Sequence, residues 1–258
     1  MTTARSTLFI AAAALALGAA ACGGAPVEPD APETILPETE ADLVDDEPVD
    51  VDEHGRPLTH VGQGMHHRFD DPEYWVQVFE GPERDAWQHP DELVAAMSIE
   101  PGMTVADIGA GTGYLLSRFQ SAVGAEGAVL ALDVEPSLVT FMSERAEREG
   151  WANVTATQVP YDNPNLPAGE VDRVLILDTW HHIGDRETYA AHLAAGLSAT
   201  GELWIVDFTQ DAPMGPPVEH RVTSEQVVAE LEAGGMVIDR VDTELLPHQF
   251  IVIATAGE

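Results

Sequence analysis

The run Asp107-Ile-Gly-Ala-Gly-Thr-Gly113 narrows what this chain can fold into more than any other segment. Before it, Thr104-Val-Ala-Asp-Ile108 has the composition of a short buried strand. After it, Tyr114 to Val123 carries apolar residues at helical spacing. A strand that turns through glycines directly into a helix brings backbone close to a ligand. Glycine tolerates positive φ and leaves no side chain in the way, and a helix start offers unpaired N–H donors. The spacing argues against a dinucleotide site. That fingerprint is G-x-G-x-x-G, and its last position here is Tyr114, too large for the close helix–strand packing it serves.

The rest of the chain repeats the alternation. Gly127 to Leu132 predicts a second strand ending at Asp133, and Pro136 opens a helix that runs to Glu149 and stops at Gly150. Val154 to Thr157 is a third strand, followed by Asp162, and Val171 to Leu177 a fourth, followed by Asp178-Thr-Trp-His-His-Ile183. Asp185 and Arg186 open a helix to about Leu197, and Gly201 to Phe208 is a fifth strand. Thr223-Ser-Glu-Gln226 fits a capping box for a helix ending at Gly234-Gly235. Met236 to Leu245 and Gln249 to Thr255 form a terminal pair joined through Pro247. Strands alternating with helices predict an α/β fold with a mostly parallel sheet.

Asp107 to Gly113 resembles motif I of the class I S-adenosylmethionine-dependent methyltransferases, and the strand order resembles their seven-stranded Rossmann-like sheet with flanking helices and a C-terminal antiparallel hairpin. The resemblance covers about Met97 to Ala256. It implies S-adenosylmethionine as cofactor, with the backbone of Gly109, Ala110, Gly111 and Gly113 against its methionine and ribose. It further implies Asp107 near the cofactor's amino group, Asp133 on the ribose hydroxyls and Asp162 near the adenine amino group. The Asp178–Ile183 segment resembles the one after strand four in small-molecule methyltransferases, including quinone-biosynthesis types, where a His-His pair recurs. Asp178, His181 and His182 are accordingly the candidate catalytic residues for methyl transfer to a small-molecule acceptor. A histidine suits proton removal near neutral pH; one of the two could instead cap the next helix or pack on Trp180.

Two loops would close the pocket on the acceptor side. Pro213 to Arg221 brings His220 and Arg221, and the segments Met65–Phe69 and Arg84–Gln88, with Trp87, precede the core as lid elements within residues 61–100. Trp75 and Trp87 read equally as core packing. No metal site is expected, because the paired histidines lack helical i, i+4 spacing and the chain has one cysteine.

The first 60 residues read differently. Leu8 to Ala21 is an apolar run of 14 residues after Arg5, of the length of a signal peptide rather than a membrane span. Ala19-Ala-Ala21 before Cys22 resembles the lipobox of bacterial lipoproteins, which implies lipidation at Cys22 and an exported domain anchored to the cell-envelope membrane by that lipid. An ordinary cleaved signal remains an alternative, as does a true start at Met65, which would make the chain cytoplasmic. Residues 22–60 carry six prolines and, from Glu28 to Glu53, twelve carboxylates. That composition predicts a disordered acidic tether ahead of a domain spanning 61–258.

Charge limits the partners. There are 45 acidic residues against 11 basic ones, every one of them arginine, for a net charge of -34. This excludes a nucleic-acid surface and an electrostatic membrane contact, and the missing lysines exclude a catalytic lysine. Export also sets the chain apart from a cytoplasmic cofactor supply. An anchored binding module that keeps the fold without catalysis is therefore the alternative to an enzyme.

Overall fold

Strands that read as unbroken apolar runs rather than alternating ones have to be covered on both faces, and the sheet is built that way. In the computed structural model, which describes residues 72–257, β1 (Thr104–Ile108), β2 (Ala128–Asp133), β3 (Val154–Gln158), β4 (Val171–Leu177), β5 (Leu197–Phe208), β6 (Met236–Asp242) and β7 (Gln249–Ala256) form one sheet in the order β3-β2-β1-β4-β5-β7-β6. The first five run parallel, and β7 pairs antiparallel with both β5 and β6. This is the expected seven-stranded, mostly parallel sheet with its antiparallel hairpin. The strand order reverses between β1 and β4, so the loops leaving their carboxyl ends diverge and open a crevice, the place where ligands bind in such sheets.

Successive residues of each strand feed opposite layers. Val105, Leu175, Trp204 and Ile253 pack under α3 (Pro90–Ala96), α4 (Leu116–Val123) and α5 (Pro136–Glu149), whose Leu93, Phe119 and Met142 are fully buried. Ala106, Val174, Ile205 and Val252 pack under α6 (Arg186–Gly196) and α7 (Ser224–Ala233) through Leu193 and Val227. The capping box of α7 is present: Thr223 accepts from Gln226 N and Gln226 from Thr223 N. Asp185 caps α6 through Thr188 N, and Gly150 ends α5 at φ 73°.

Several boundaries differ from the sequence reading. The helix after the turn starts at Leu116 rather than Tyr114, because positive φ at Gly111 and Gly113 holds residues 109–115 in turns. β5 begins at Leu197 and reaches regular register with β4 only past a shift between Val171 and Arg173. β6 ends at Asp242, whose carboxylate accepts the N–H groups of Glu244 and Leu245 and so bends the chain out of the strand. The His-His segment forms a single 3-10 turn, Trp180–His182.

Ahead of α3 stand α1 (Pro72–Phe79) and α2 (Arg84–Gln88). No residue of α1 is buried, so this pair is held chiefly by polar bonds. Glu80 pairs with Arg145 of α5 and accepts from Thr112 Oγ1, and Asp85 takes the Tyr114 hydroxyl and Arg118. The proposed leader, Cys22, the 22–60 tether and Met65–Phe69 lie outside the described residues. Thr223→Ala, which removes one half of the α7 capping box, should lower stability by about 1 kcal/mol. Urea denaturation would register this as a lower midpoint at unchanged slope.

Candidate active site

The glycine turn is fastened to the sheet from both sides. Gly109 N and Ala110 N donate to Leu132 O at 2.8 and 3.1 Å, which ties the turn to the end of β2. Gly109 has φ 71°, and a Cβ there would fall 2.4 Å from Thr179 Oγ1, so only glycine lets the turn pass beneath the loop after β4. Asp133 closes the other side: its Oδ2 accepts Gly111 N at 2.9 Å and its Oδ1 accepts Glu135 N at 3.0 Å. Burial pushes the Asp133 carboxyl upward in pKa, while these two backbone N–H groups hold it down. An ionised carboxylate has about four acceptor positions, so Asp133 braces the turn and still has lone pairs for a ligand.

Asp107, 4% exposed, accepts no hydrogen bond among the described residues. Burial raises its pKa to about 7, with Arg84 pulling down and Asp133 pushing up. A buried acid without a donor calls for a cation or donor from outside the chain.

Across the crevice, Asp178 leaves β4 at φ 53°, a left-handed conformation that is strained for a non-glycine residue. Its carboxylate accepts from Gln249 Nε2, Gln249 accepts from Gln88 Nε2 at 2.6 Å, and Arg84 Nη2 stands 3.4 Å from Asp178 Oδ2. Burial raises Asp178 to about 7; Arg84 opposes this, Asp207 adds to it, and His181 and Gln249 oppose it. Gln88 and Gln249 are essentially inaccessible, so this chain of amides couples α2 to β7 and the end of β4.

Next to it is a histidine–carboxylate pair. His181 Nδ1 lies 2.9 and 3.0 Å from the two oxygens of Asp207, a fully buried residue of β5, and His181 N also donates to Asp207. Burial alone would lower the His181 pKa; the hydrogen bond and charge of Asp207 outweigh it, so the net shift is upward. With Nδ1 occupied, Nε2 is the nitrogen left for chemistry. His181 lines a polar cavity of ≈ 190 Å³ together with His182, Arg186, His220, Arg221 and Gln226. The rings of His181 and His182 are 4.2 Å apart.

The remaining predicted residues distribute unevenly. His220 is exposed at the cavity wall. Arg221 lines the cavity, but its guanidinium donates to the carbonyls of Pro216, Thr209, Ala212 and Met214 at 2.7–2.9 Å, so it also staples the loop after β5. Trp87 is half-buried against Phe208, with ring centroids 5.8 Å apart, and is not part of the cavity wall. Asp162 is exposed on the loop after β3. Sequence reasoning placed Arg84 and Gln88 only within a lid segment, and it gave no role of their own to Thr179, Asp207 and Gln249. Only Asp207 carried a local signal, as a lone acid inside the apolar run Leu203–Phe208.

Residues 105–201, from β1 to the first part of β5, match a family model described as a methyltransferase domain. The ubiquinone/menaquinone biosynthesis C-methyltransferase UbiE of Shewanella piezotolerans is 26% identical over 118 residues, 45% of this chain and 47% of that protein. UbiE of Saccharophagus degradans is 26% identical over 165 residues, 64% of each chain. The chain thus spans about half the length of the first of these curated relatives. Among solved structures, a SAM-dependent methyltransferase from Aquifex aeolicus superposes with a TM-score of 0.66 at 27% identity, covering 71% of this chain and 97% of that one.

The Asp107 carboxyl has a folded pKa of about 7 against an ordinary 3.8, so the stability it contributes is present in full below about pH 3.8 and lost as pH rises through 7. Asp107→Asn removes that titration. Between pH 4 and pH 8 the wild type should lose up to about 4 kcal/mol more stability than the variant, measured by chemical denaturation at each pH.

Proposed function

We propose that this chain, whose residues 105–201 carry the methyltransferase domain of the class I S-adenosylmethionine-dependent fold, binds S-adenosylmethionine at the Asp107–Gly113 turn and methylates a small-molecule acceptor held beside His181. The observation that carries this reading is Asp107, a buried acid with no hydrogen-bond donor, beside a glycine turn at the reversal of the strand order. The residues present suit the cofactor. Asp107 offers an uncompensated negative charge to an ammonium, the backbone of Gly109, Ala110, Gly111 and Gly113 admits close approach, and Asp133 retains acceptor positions for ribose hydroxyls. Asp162, exposed on the loop after β3, takes the adenine amino group.

When bound, the cofactor supplies an electrophilic methyl group on a sulfonium. The chain's own work is to hold the acceptor in line with that methyl group, which supplies most of the acceleration in such a displacement, and to remove a proton from it. His181 is the base. Asp207 fixes Nδ1 and stabilises the imidazolium that forms once Nε2 has taken the acceptor's proton. His182, His220 and Arg221 form the polar wall that orients the acceptor, and Asp178 fixes the loop carrying both histidines. Trp87 borders the site through Phe208 rather than touching the acceptor.

Calorimetric titration of the full chain with S-adenosylmethionine and S-adenosylhomocysteine tests the cofactor assignment. Both should bind, and Asp133→Ala should weaken each by at least about tenfold; no heat at millimolar ligand would sink the reading. The base assignment has a separate readout. The His181 imidazole should titrate above 6.5 by NMR in the wild type, and Asp207→Asn should bring it down, because the charge that raises it is gone. A His181 pKa that Asp207→Asn leaves in place would remove His181 from the role.

A further inference from the structure

The cavity beside His181 reverses the sign of the chain around it. Acids outnumber arginines 45 to 11 over the whole sequence. The cavity wall instead sets two arginines, Arg186 and Arg221, and three histidines, His181, His182 and His220, against one carboxylate, Glu219. Its single apolar side chain is Val222. Two helices also begin there, α6 at Arg186 and α7, whose first turn includes Gln226, and their positive ends add to the same sign. At ≈ 190 Å³ the space is smaller than the about 300–1,000 Å³ of a drug-sized pocket, so its occupant is compact.

The two arginines differ in how much of their charge is left. Arg186 is neutralised by Glu230 at 3.0 Å. Arg221 spends its N–H groups on the carbonyls of the loop after β5, and carbonyls satisfy hydrogen bonds without cancelling charge. It forms no ion pair among the described residues; Asp211, exposed on the same loop, only senses its charge. An uncompensated guanidinium in the wall of a partly enclosed cavity favours an anion and disfavours a cation. His181 is placed differently, because Asp207 already supplies a carboxylate at Nδ1 and the side chain is only 4% exposed. A second anion against Nε2 would hold the imidazole in its charged form and deny it the proton that a base must take. The anionic group therefore belongs with Arg221, His182 and His220, and the accepting atom with His181.

We infer that the methyl acceptor is a compact anion. Its charged group, a carboxylate or an equivalent, is held by Arg221 with His182 and His220, while its proton-bearing acceptor atom meets His181 Nε2. The inference rests on the methyl-transfer reading above and narrows its acceptor to one charge class. A neutral or cationic molecule of the same shape is disfavoured at this wall, which selects by charge.

Benzoate and benzamide, alike in shape and different in charge, are the probes, titrated into the full chain and followed by NMR of the histidine ring protons. Benzoate should shift the His182 and His220 rings saturably, with benzamide bound at least about tenfold more weakly. Arg221→Gln should weaken benzoate by about tenfold and leave benzamide within about twofold. Glu219→Gln, at an exposed position, removes the wall's only carboxylate and should tighten benzoate by about twofold to fivefold. This second variant breaks none of the carbonyl bonds of Arg221, so it reads the charge even where Arg221→Gln loosens the loop. Three results overturn the anionic acceptor and leave Arg221 as a loop staple: equal affinity for the two probes, benzoate that leaves these rings unmoved at tens of millimolar, or a Glu219→Gln variant that binds benzoate no tighter. S-adenosylhomocysteine titrated into the same wild-type sample separates the two readings. A chain that binds it but not benzoate loses the anionic acceptor alone. One that binds benzoate but not S-adenosylhomocysteine loses methyl transfer and keeps an anion site.

Discussion

Two carboxyl groups, Asp107 and Asp178, are withdrawn from water where the strand order reverses, and one guanidinium, that of Arg84, answers both. The arrangement follows from the sheet. Parallel strands buried on both faces leave polar side chains a place only at their ends, and the reversal between β1 and β4 puts two such ends next to each other. Desolvation there is strong enough to bring both acids to a pKa of about 7. The crevice consequently sits at the edge of ionisation at neutral pH, and any cation brought into it is favoured by forming the charge that binds it. The position of α2, the amide chain Gln88–Gln249–Asp178 and the left-handed backbone at Asp178 all serve to hold that single guanidinium opposite those two acids.

The distribution of arginine sharpens the point. In a chain of such negative charge every guanidinium is in demand, and those of the described residues are mostly committed. Arg118 pairs with Asp85 and Asp91, Arg145 with Glu80, Arg186 with Glu230, and Arg173 bonds to Met97 O while approaching Glu202. Arg221 is spent on loop carbonyls without meeting a carboxylate. Arg84 differs in that its Nε is buried without a partner. General surface acidity does not produce this. Surface pairs such as Arg240–Asp239 cost little to rearrange, whereas a buried unmatched donor persists only where the surrounding structure imposes it.

The sheet and the turn were legible in sequence because their signals are local. Thr104–Ile108 and Val171–Leu177 are short apolar runs bounded by breakers, and the glycines at 109, 111 and 113 all adopt positive φ, a requirement written in residue type. Asp107, Asp133, Asp178 and His181 were singled out through the motifs that resemble a known family, and they lie in or just after the carboxyl-terminal parts of β1, β2 and β4. What escaped depends on residues distant in sequence. Arg84 meets Asp178 across 94 positions and Gln88 meets Gln249 across 161, and neither contact leaves a periodic trace. α2 has five residues with no apolar stripe, so nothing in its pattern says which face it presents. The left-handed backbone at Asp178, which aims its carboxylate toward α2, is equally silent, since aspartate carries no obligation to positive φ.

Asp178 also joins the two halves of the crevice. On one side it meets Arg84 over the glycine turn; on the other, its loop carries His181, and its ionisation is helped by His181 and opposed by Asp207. Asp178 and His181 each favour the charged form of the other.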